Sequence, residues 1–100
     1  MKYFKIKDLT SFTPEGFNKK ELHVTEQSKV LLICFTEGQA VDPCVMSRNT
    51  MFYIVEGEGI IREADLEERV SAGSVILIEP ERERQLIAKT RMIVLAVQYS

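Results

Sequence analysis

Histidine is almost absent from this sequence, since His23 is the only one in 100 residues. Non-haem iron oxygenases commonly hold their metal with two histidines and one carboxylate. A single chain of this composition cannot assemble that site. Long hydrophobic runs are absent as well, because none approaches the ~18 residues that a membrane-spanning helix needs. We therefore expect neither this iron chemistry nor a membrane partner.

Cysteine is scarce too, and the two present are Cys34 and Cys44, ten positions apart. This spacing fits neither a CxxC redox pair nor a disulfide framework. Residues 1–17 lack the continuous apolar stretch of a signal peptide. We therefore expect two free thiols in a reducing compartment and a cytoplasmic protein.

An excess of charge of one sign is also missing. The net charge is −2, and acidic and basic residues are interspersed along the chain. Phosphate binding needs a clustered positive field, so we expect no nucleic-acid partner. The charge-rich runs 62–69 and 79–84 are predicted to be solvated loops or strand faces.

What the chain does contain is a succession of short apolar and β-branched runs separated by turn signals. About eight short strands of this kind favour a β-sandwich or a small barrel. We predict strands at 21–24, 29–36, 51–55 with a continuation through two glycines to 61, 67–70, 75–78, 85–88 and 92–97.

The chain is predicted to be a single domain, residues 1–100, because this length supports one hydrophobic core. A turn at 13–16 separates a lead-in segment, 1–16, from a barrel core, 28–99. One alternative concerns residues 61–70, whose Glu, Arg, Ala and Leu side chains also have good helix propensity.

Three of the predicted strands are apolar on both faces: 30–35, 75–78 and 92–97. A small barrel buries only its inner face, so the outer apolar side chains need another cover. Either the lead-in segment or a second copy of the chain can provide it. We predict a homodimer formed through a sheet face.

The stretch from Gly38 to Gly57 has a distinctive spacing. Gly38 is followed after five residues by Cys44, after one by Met46, after three by Thr50 and after six by Gly57. The first motif of the small single-domain cupins has these intervals, with histidines and a glutamate at the inner positions. The chain resembles that family, and the resemblance implies an all-β fold, a cupin-like jelly-roll β-barrel built as an antiparallel double sheet.

The second cupin motif is matched less closely. Gly73 is followed by six residues before Pro80, where the motif has five. Counted from that proline, Arg82 stands at the motif's glycine, Gln85 at its histidine and Lys89 at its asparagine. The glycines and prolines mark turns and bends and so support the fold, but the fold hosts many functions.

The inner positions bear directly on metal chemistry. The resemblance implies three histidines and one glutamate that bind iron, manganese, nickel, copper or zinc. This chain would offer Cys44, Met46, Thr50 and Gln85 instead, and a hydroxyl and an amide are poor ligands for these ions. We expect no hard metal, while thiol and thioether leave a soft ion, Cu or Zn, open at Cys44 and Met46. The alternative is that both are apolar filling of the barrel.

Two further residues are candidates for the same cavity. His23 could reach in from the preceding strand, as a metal ligand or as a base beside a nucleophilic Cys44. Arg48 could pair with a carboxylate or phosphate if it faces inward, and otherwise lies in solvent. Phe52 and Tyr53 are predicted to be core residues.

These observations favour a small-molecule-binding, cupin-like barrel that lacks the usual three-histidine, one-glutamate metal site and is not a metal-dependent oxygenase. Two alternatives remain: a cupin enzyme with a soft or rearranged metal site centred on Cys44, and a structural or interaction module with a filled barrel. The predicted ligand-binding residues are Cys44, Met46, Thr50, Gln85, Arg48 and His23.

Overall fold

Eight β-strands make up most of the chain in a computed structural model that describes all 100 residues. The only helical element is one 3-10 turn, Ile6–Asp8, and no helix is long and apolar enough to cross a membrane. The all-β prediction and the expected strand number are confirmed. The strands are β1 (Asn18–Val24), β2 (Ser28–Phe35), β3 (Asn49–Glu56), β4 (Glu58–Glu63), β5 (Leu66–Ser71), β6 (Val75–Ile78), β7 (Arg84–Ala88) and β8 (Met92–Tyr99).

The strands form two sheets in which every neighbouring pair is antiparallel. One sheet has five strands in the order β1-β2-β8-β3-β6, and the other has three in the order β5-β4-β7. This is the antiparallel double sheet of a jelly roll. Sheets of this kind bury a core between their facing surfaces.

Side-chain alternation along β2 shows how the core is built. Leu31, Ile33 and Phe35 point into the barrel, whereas Leu32 and Cys34 lie on the outer face. A strand places successive side chains on opposite faces, so an apolar run buried on both faces serves two separate clusters. The core between the sheets contains 13 buried residues, supplied by every strand except β1.

Gly57 ends one sheet and begins the other. Its φ of +90° lies in the region that favours glycine, and a Cβ there would collide with the carbonyl oxygen of Arg91. The predicted continuation of the third strand to residue 61 is therefore two strands, β3 in the five-stranded sheet and β4 in the three-stranded one. The expected bend at the glycine is where the chain changes sheets.

The alternative helix at 61–70 is not formed. These residues are the end of β4, a tight turn with Ala64 at φ +53°, and most of β5. Arg62 faces Glu67 across the hairpin, with Nε and Oε1 2.7 Å apart. Cross-strand pairing and its ion pair override the helix propensity of the individual residues.

The lead-in segment covers one end of the outer face of the five-stranded sheet. Ile6, Leu9 and Phe12 pack against the outer cluster that contains Leu32 and Cys34. The outer apolar side chains of β3, β6 and β8 lie in two adjacent cross-strand rows, Val97–Met51–Leu77 and Leu95–Tyr53–Val75. We call these six residues the outer apolar patch.

The outer apolar patch is largely exposed at the edge strand β6, where Leu77 is 67% and Val75 56% accessible. Tyr53 belongs to the patch and is exposed, so its predicted place in the core is wrong. Phe52, one residue earlier, points inward and is a core residue as predicted.

Candidate functional site

A cavity of about 140 Å³ lies inside the barrel, with walls from both sheets. Its lining is mainly apolar and includes Leu31, Ile33, Phe52 and Ala96. Lys19 is the exposed charged residue among the lining residues. Apolar walls with a few converging polar groups are the usual form of a small-molecule site.

The connection between β2 and β3 carries two of the predicted residues to this cavity. It runs beside β7, where Cys44 and Arg84 exchange both backbone hydrogen bonds, at 3.0 and 2.9 Å. Side chains of directly opposed residues lie on one face of such a pair. Cys44, Met46 and Thr50 all line the cavity, so the structure brings these three predicted residues together.

Arg84 is the polar centre of the cavity, although its place in the sequence does not single it out. The residue is only 3% exposed, whereas the run 79–84 is predicted to be solvated. Its Nη1 donates to Thr50 Oγ1 at 2.9 Å, its Nε to the Arg82 carbonyl at 2.8 Å and its Nη2 to the Glu79 carbonyl at 3.4 Å. The prediction of a solvated run is therefore wrong at its last residue.

The charge of Arg84 is not neutralised by an ion pair, since none of the four ion pairs in the structure includes it. Burial lowers the pKa of its guanidinium, while Cys44 and Glu63 act in the opposite direction. Glu63 itself lies 3.7 Å from Arg82. Arginine remains protonated at neutral pH, and no acidic side chain lines the cavity, so the interior is cationic.

The structure shifts the alignment of this sequence to the second cupin motif by one residue. Counted from Gly73 rather than from the proline, Glu81 takes the motif's glycine position and Arg84 takes its histidine position. Glu81 has a φ of +65°, which is the backbone region that glycine would favour. Gln85 lines the cavity, but its amide oxygen accepts a 3.4 Å hydrogen bond from the exposed Arg62. The side chain at the inward histidine position is therefore a guanidinium.

His23 and Arg48 do not line the cavity. His23 lies opposite Val30, which precedes the inward-facing Leu31 and therefore points to the outer face of the sheet. The Nδ1 atom of His23 lies 2.9 Å from Nζ of Lys2 in the lead-in segment. Arg48 donates from Nη2 to the carbonyl oxygen of Glu26 at 2.8 Å. The structure does not bring His23 to Cys44, and Arg48 takes the alternative position outside the cavity.

The residues at the inner positions do not fit the metal that the fold family implies. A thiol, a thioether and a hydroxyl are present beside a guanidinium, which has no lone pair to donate and repels a cation. The chain has no group of three or more histidine, cysteine or acidic side chains able to hold a metal ion.

A larger depression, about 470 Å³, lies on the outside of β4 and β5. It is lined mostly by polar and charged groups such as Glu58, Arg69 and Lys89. None of the predicted site residues reaches it. The smaller barrel cavity combines apolar enclosure with a buried charge, and it is the better candidate.

Solved structures show the same architecture over the whole chain. The protein TT1209 of Thermus thermophilus is 20% identical, with a TM-score of 0.93 over 99% of this chain and 97% of that protein. An RmlC-like cupin of Desulfovibrio desulfuricans is 22% identical, with a TM-score of 0.91 over 99% and 96%. A cupin superfamily protein of Desulfitobacterium hafniense is 16% identical, with a TM-score of 0.90 over 98% and 90%.

No protein-family model matches the sequence, and no curated protein matches it. The structural likeness establishes the class of protein: a small cupin-fold barrel. The resemblance inferred from the glycine spacing is confirmed at the level of the fold.

Proposed function

We propose that this protein binds a small molecule inside its barrel and is not a metal-dependent oxygenase. The observation that supports this most directly is the cavity of about 140 Å³ at the positions where cupins hold their metal. Cys44, Met46 and Thr50 keep the spacing of that site without its imidazoles and carboxylate. An unfilled space with apolar walls favours a binding protein over a packed structural barrel.

The size of the cavity limits the ligand. An apolar cavity of about 150 Å³ is large enough to bind benzene, so this one accepts about six non-hydrogen atoms. Larger ligands would have to extend past Lys19 into solvent. Met46 is the adaptable part of the wall, because a thioether chain can repack around ligands of different shape.

A fragment screen by thermal shift tests this proposal, because a ligand that binds only the native state raises the melting temperature. Ala96→Leu is the matched variant, since residue 96 is buried in the cavity wall and its enlargement fills the space. We expect small fragments to raise the melting temperature of the wild type and not of Ala96→Leu. If no fragment binds the wild type, the protein is better described as a structural or interaction module.

The alternative of an enzyme with a soft metal at Cys44 and Met46 is less well supported, because the guanidinium of Arg84 opposes a second cation there. Metal analysis of untagged protein decides between the two. We expect less than about a tenth of an equivalent of copper or zinc, since two soft ligands fall short of a closed site. A stoichiometric metal that is lost in Cys44→Ala would favour the enzyme.

We also propose that the protein is a cytoplasmic homodimer. The outer apolar patch supports the dimer, because soluble monomers rarely leave several adjacent apolar side chains exposed on one face. It lies at β6, the edge of the five-stranded sheet, beyond the area that the lead-in covers. A second copy packing face to face would bury it.

A further inference from the structure

We propose that the ligand of the barrel is a small organic carboxylate, bound through its carboxylate group to the guanidinium of Arg84. This inference rests on the proposed small-molecule function and names the chemical class of the ligand. It is carried by a buried cation that belongs to none of the four ion pairs and faces a cavity whose lining contains no acidic residue.

Arg84 has hydrogen-bonding capacity left over. A guanidinium carries five N–H donors, and three of them are used by Thr50 Oγ1 and the carbonyls of Arg82 and Glu79. The three acceptors fix the plane of the group, since they engage Nε, Nη1 and Nη2. Two donors remain for an incoming molecule, and a carboxylate offers two oxygens that match the fork of a guanidinium.

The walls of the cavity select the rest of the ligand. Leu31, Ile33 and Phe52 present only apolar surface. A short hydrocarbon tail gains free energy against these three side chains, whereas a second charged group placed there would lose its hydration without a donor to replace it. The ligand is therefore a monoanion with a short apolar body, and Lys19 adds a second positive charge among the lining residues.

The ligand also resolves an electrostatic problem of the free protein. A buried charge without a counter-ion is costly, because the protein interior replaces water poorly. Cupins hold a metal cation at this point of the barrel. In this chain the positive charge is instead the guanidinium of Arg84, at the corresponding histidine position. An anion that binds beside Arg84 forms the missing pair.

The test is an NMR titration of the complete protein, in a buffer free of carboxylates, with sodium butyrate, butyramide and butylammonium chloride. These probes share a chain length and differ in charge. We expect butyrate to bind at least about tenfold more tightly than butyramide, since a hydrogen bond to a charged group contributes roughly one tenfold step or more. Butylammonium should bind most weakly. This comparison needs no variant.

Arg84→Met supplies the second arm, because methionine keeps much of the volume and removes the charge. Butyrate affinity should fall about tenfold or more, while butyramide affinity changes less than about threefold. If butyramide binds as tightly as butyrate, or if Arg84→Met leaves butyrate affinity unchanged, the carboxylate proposal is wrong and the small-molecule proposal stands. If none of the three probes shifts the resonances of the cavity residues, the carboxylate proposal is likewise overturned. In that case, if the fragment screen also finds no ligand, small-molecule binding is overturned as well.

Discussion

Arg84 of β7 and Thr50 of β3 are joined by a hydrogen bond of 2.9 Å, Nη1 to Oγ1, that connects the two sheets through the barrel interior. Thr50 is almost completely buried, and so is Arg84. The bond does two things. It satisfies one donor of a buried cation, and it fixes the guanidinium plane beside the cavity.

Thr50→Val tests the strength of this bond, because valine keeps the shape of threonine and removes the acceptor. We expect the free energy of unfolding to fall by about 1.5–3 kcal/mol, the range for hydrogen bonds to charged groups. Denaturant titration followed by circular dichroism measures it.

The control is the same substitution in an Arg84→Met background, where the donor is gone. There Thr50→Val should cost less than about 0.5 kcal/mol, and the difference between the two backgrounds is the coupling energy of the pair. Equal costs in both backgrounds would show that Thr50 stabilises the barrel by packing and not through Arg84.

The two cysteines should differ sharply in reactivity. Cys34 is buried beneath the lead-in segment, whereas Cys44 is half-buried and lines the cavity. Since modification of a thiol requires access, a thiol-specific reagent should modify about one equivalent rapidly in the native protein and both after unfolding.

Cys44→Ala is the matched variant for this experiment and should lose the rapid reaction, while Cys34→Ala should keep it. Rapid modification of Cys34 in the native state would mean that the lead-in segment opens readily.

The spacing of glycines was enough to predict the fold because it reflects backbone conformation, which does not depend on the chemistry of the site. Gly38 and Gly57 both have positive φ, and their separation survives although the side chains between them are changed. The run 30–35, predicted to be apolar on both faces, is buried on both faces in β2, but alternation alone did not indicate which face lies inside the barrel.

Arg84 was missed because an arginine in a run of charged residues usually lies in solvent. The helpful signal was the alternation Arg84, Leu86, Ala88, which places the arginine on the same face as two core residues. Aligning the motif on Pro80 placed its histidine position at Gln85 instead of Arg84. Glu81, whose φ is positive, is the residue at the motif's glycine position. The irregularity of β1 between Glu21 and His23, which shifts the register and places His23 opposite Val30, has no local sequence signal.

Substitutions at Gly57 and Gly73 separate two costs: that of a left-handed backbone and that of a steric clash with a neighbouring strand. Both have φ near +90°, but only Gly57 lacks room for a Cβ, since the backbone of Arg91 and Met92 lies against it. Gly73→Ala should therefore cost about 1–2 kcal/mol, for the left-handed backbone alone. Gly57→Ala should cost a further ~1–3 kcal/mol, because the strand β8 must move.

Thermal or denaturant unfolding of the two variants measures both costs. The result that contradicts this account is an equal loss of stability in the two variants, which would mean that the chain relaxes around residue 57 without penalty.

The outer apolar patch predicts a self-association that can be broken by one charge. Leu77 is the most exposed of its six residues and lies on the edge strand β6. In a face-to-face dimer, Leu77→Asp would place carboxylates from both copies within one apolar interface, where they are desolvated and repel each other. Because residue 77 is exposed in the single chain, the variant should still fold.

Light scattering at micromolar concentration should therefore give the wild type a mass twice the chain's 11.5 kDa, and Leu77→Asp the mass of one chain. Val24→Asp is the matched control. Val24 is similarly exposed, at 51%, but belongs to β1, at the opposite edge of the five-stranded sheet from β6, so that variant should remain dimeric. A wild type that stays monomeric at these concentrations, or a dimer that both variants disrupt equally, would rule out the patch as the interface.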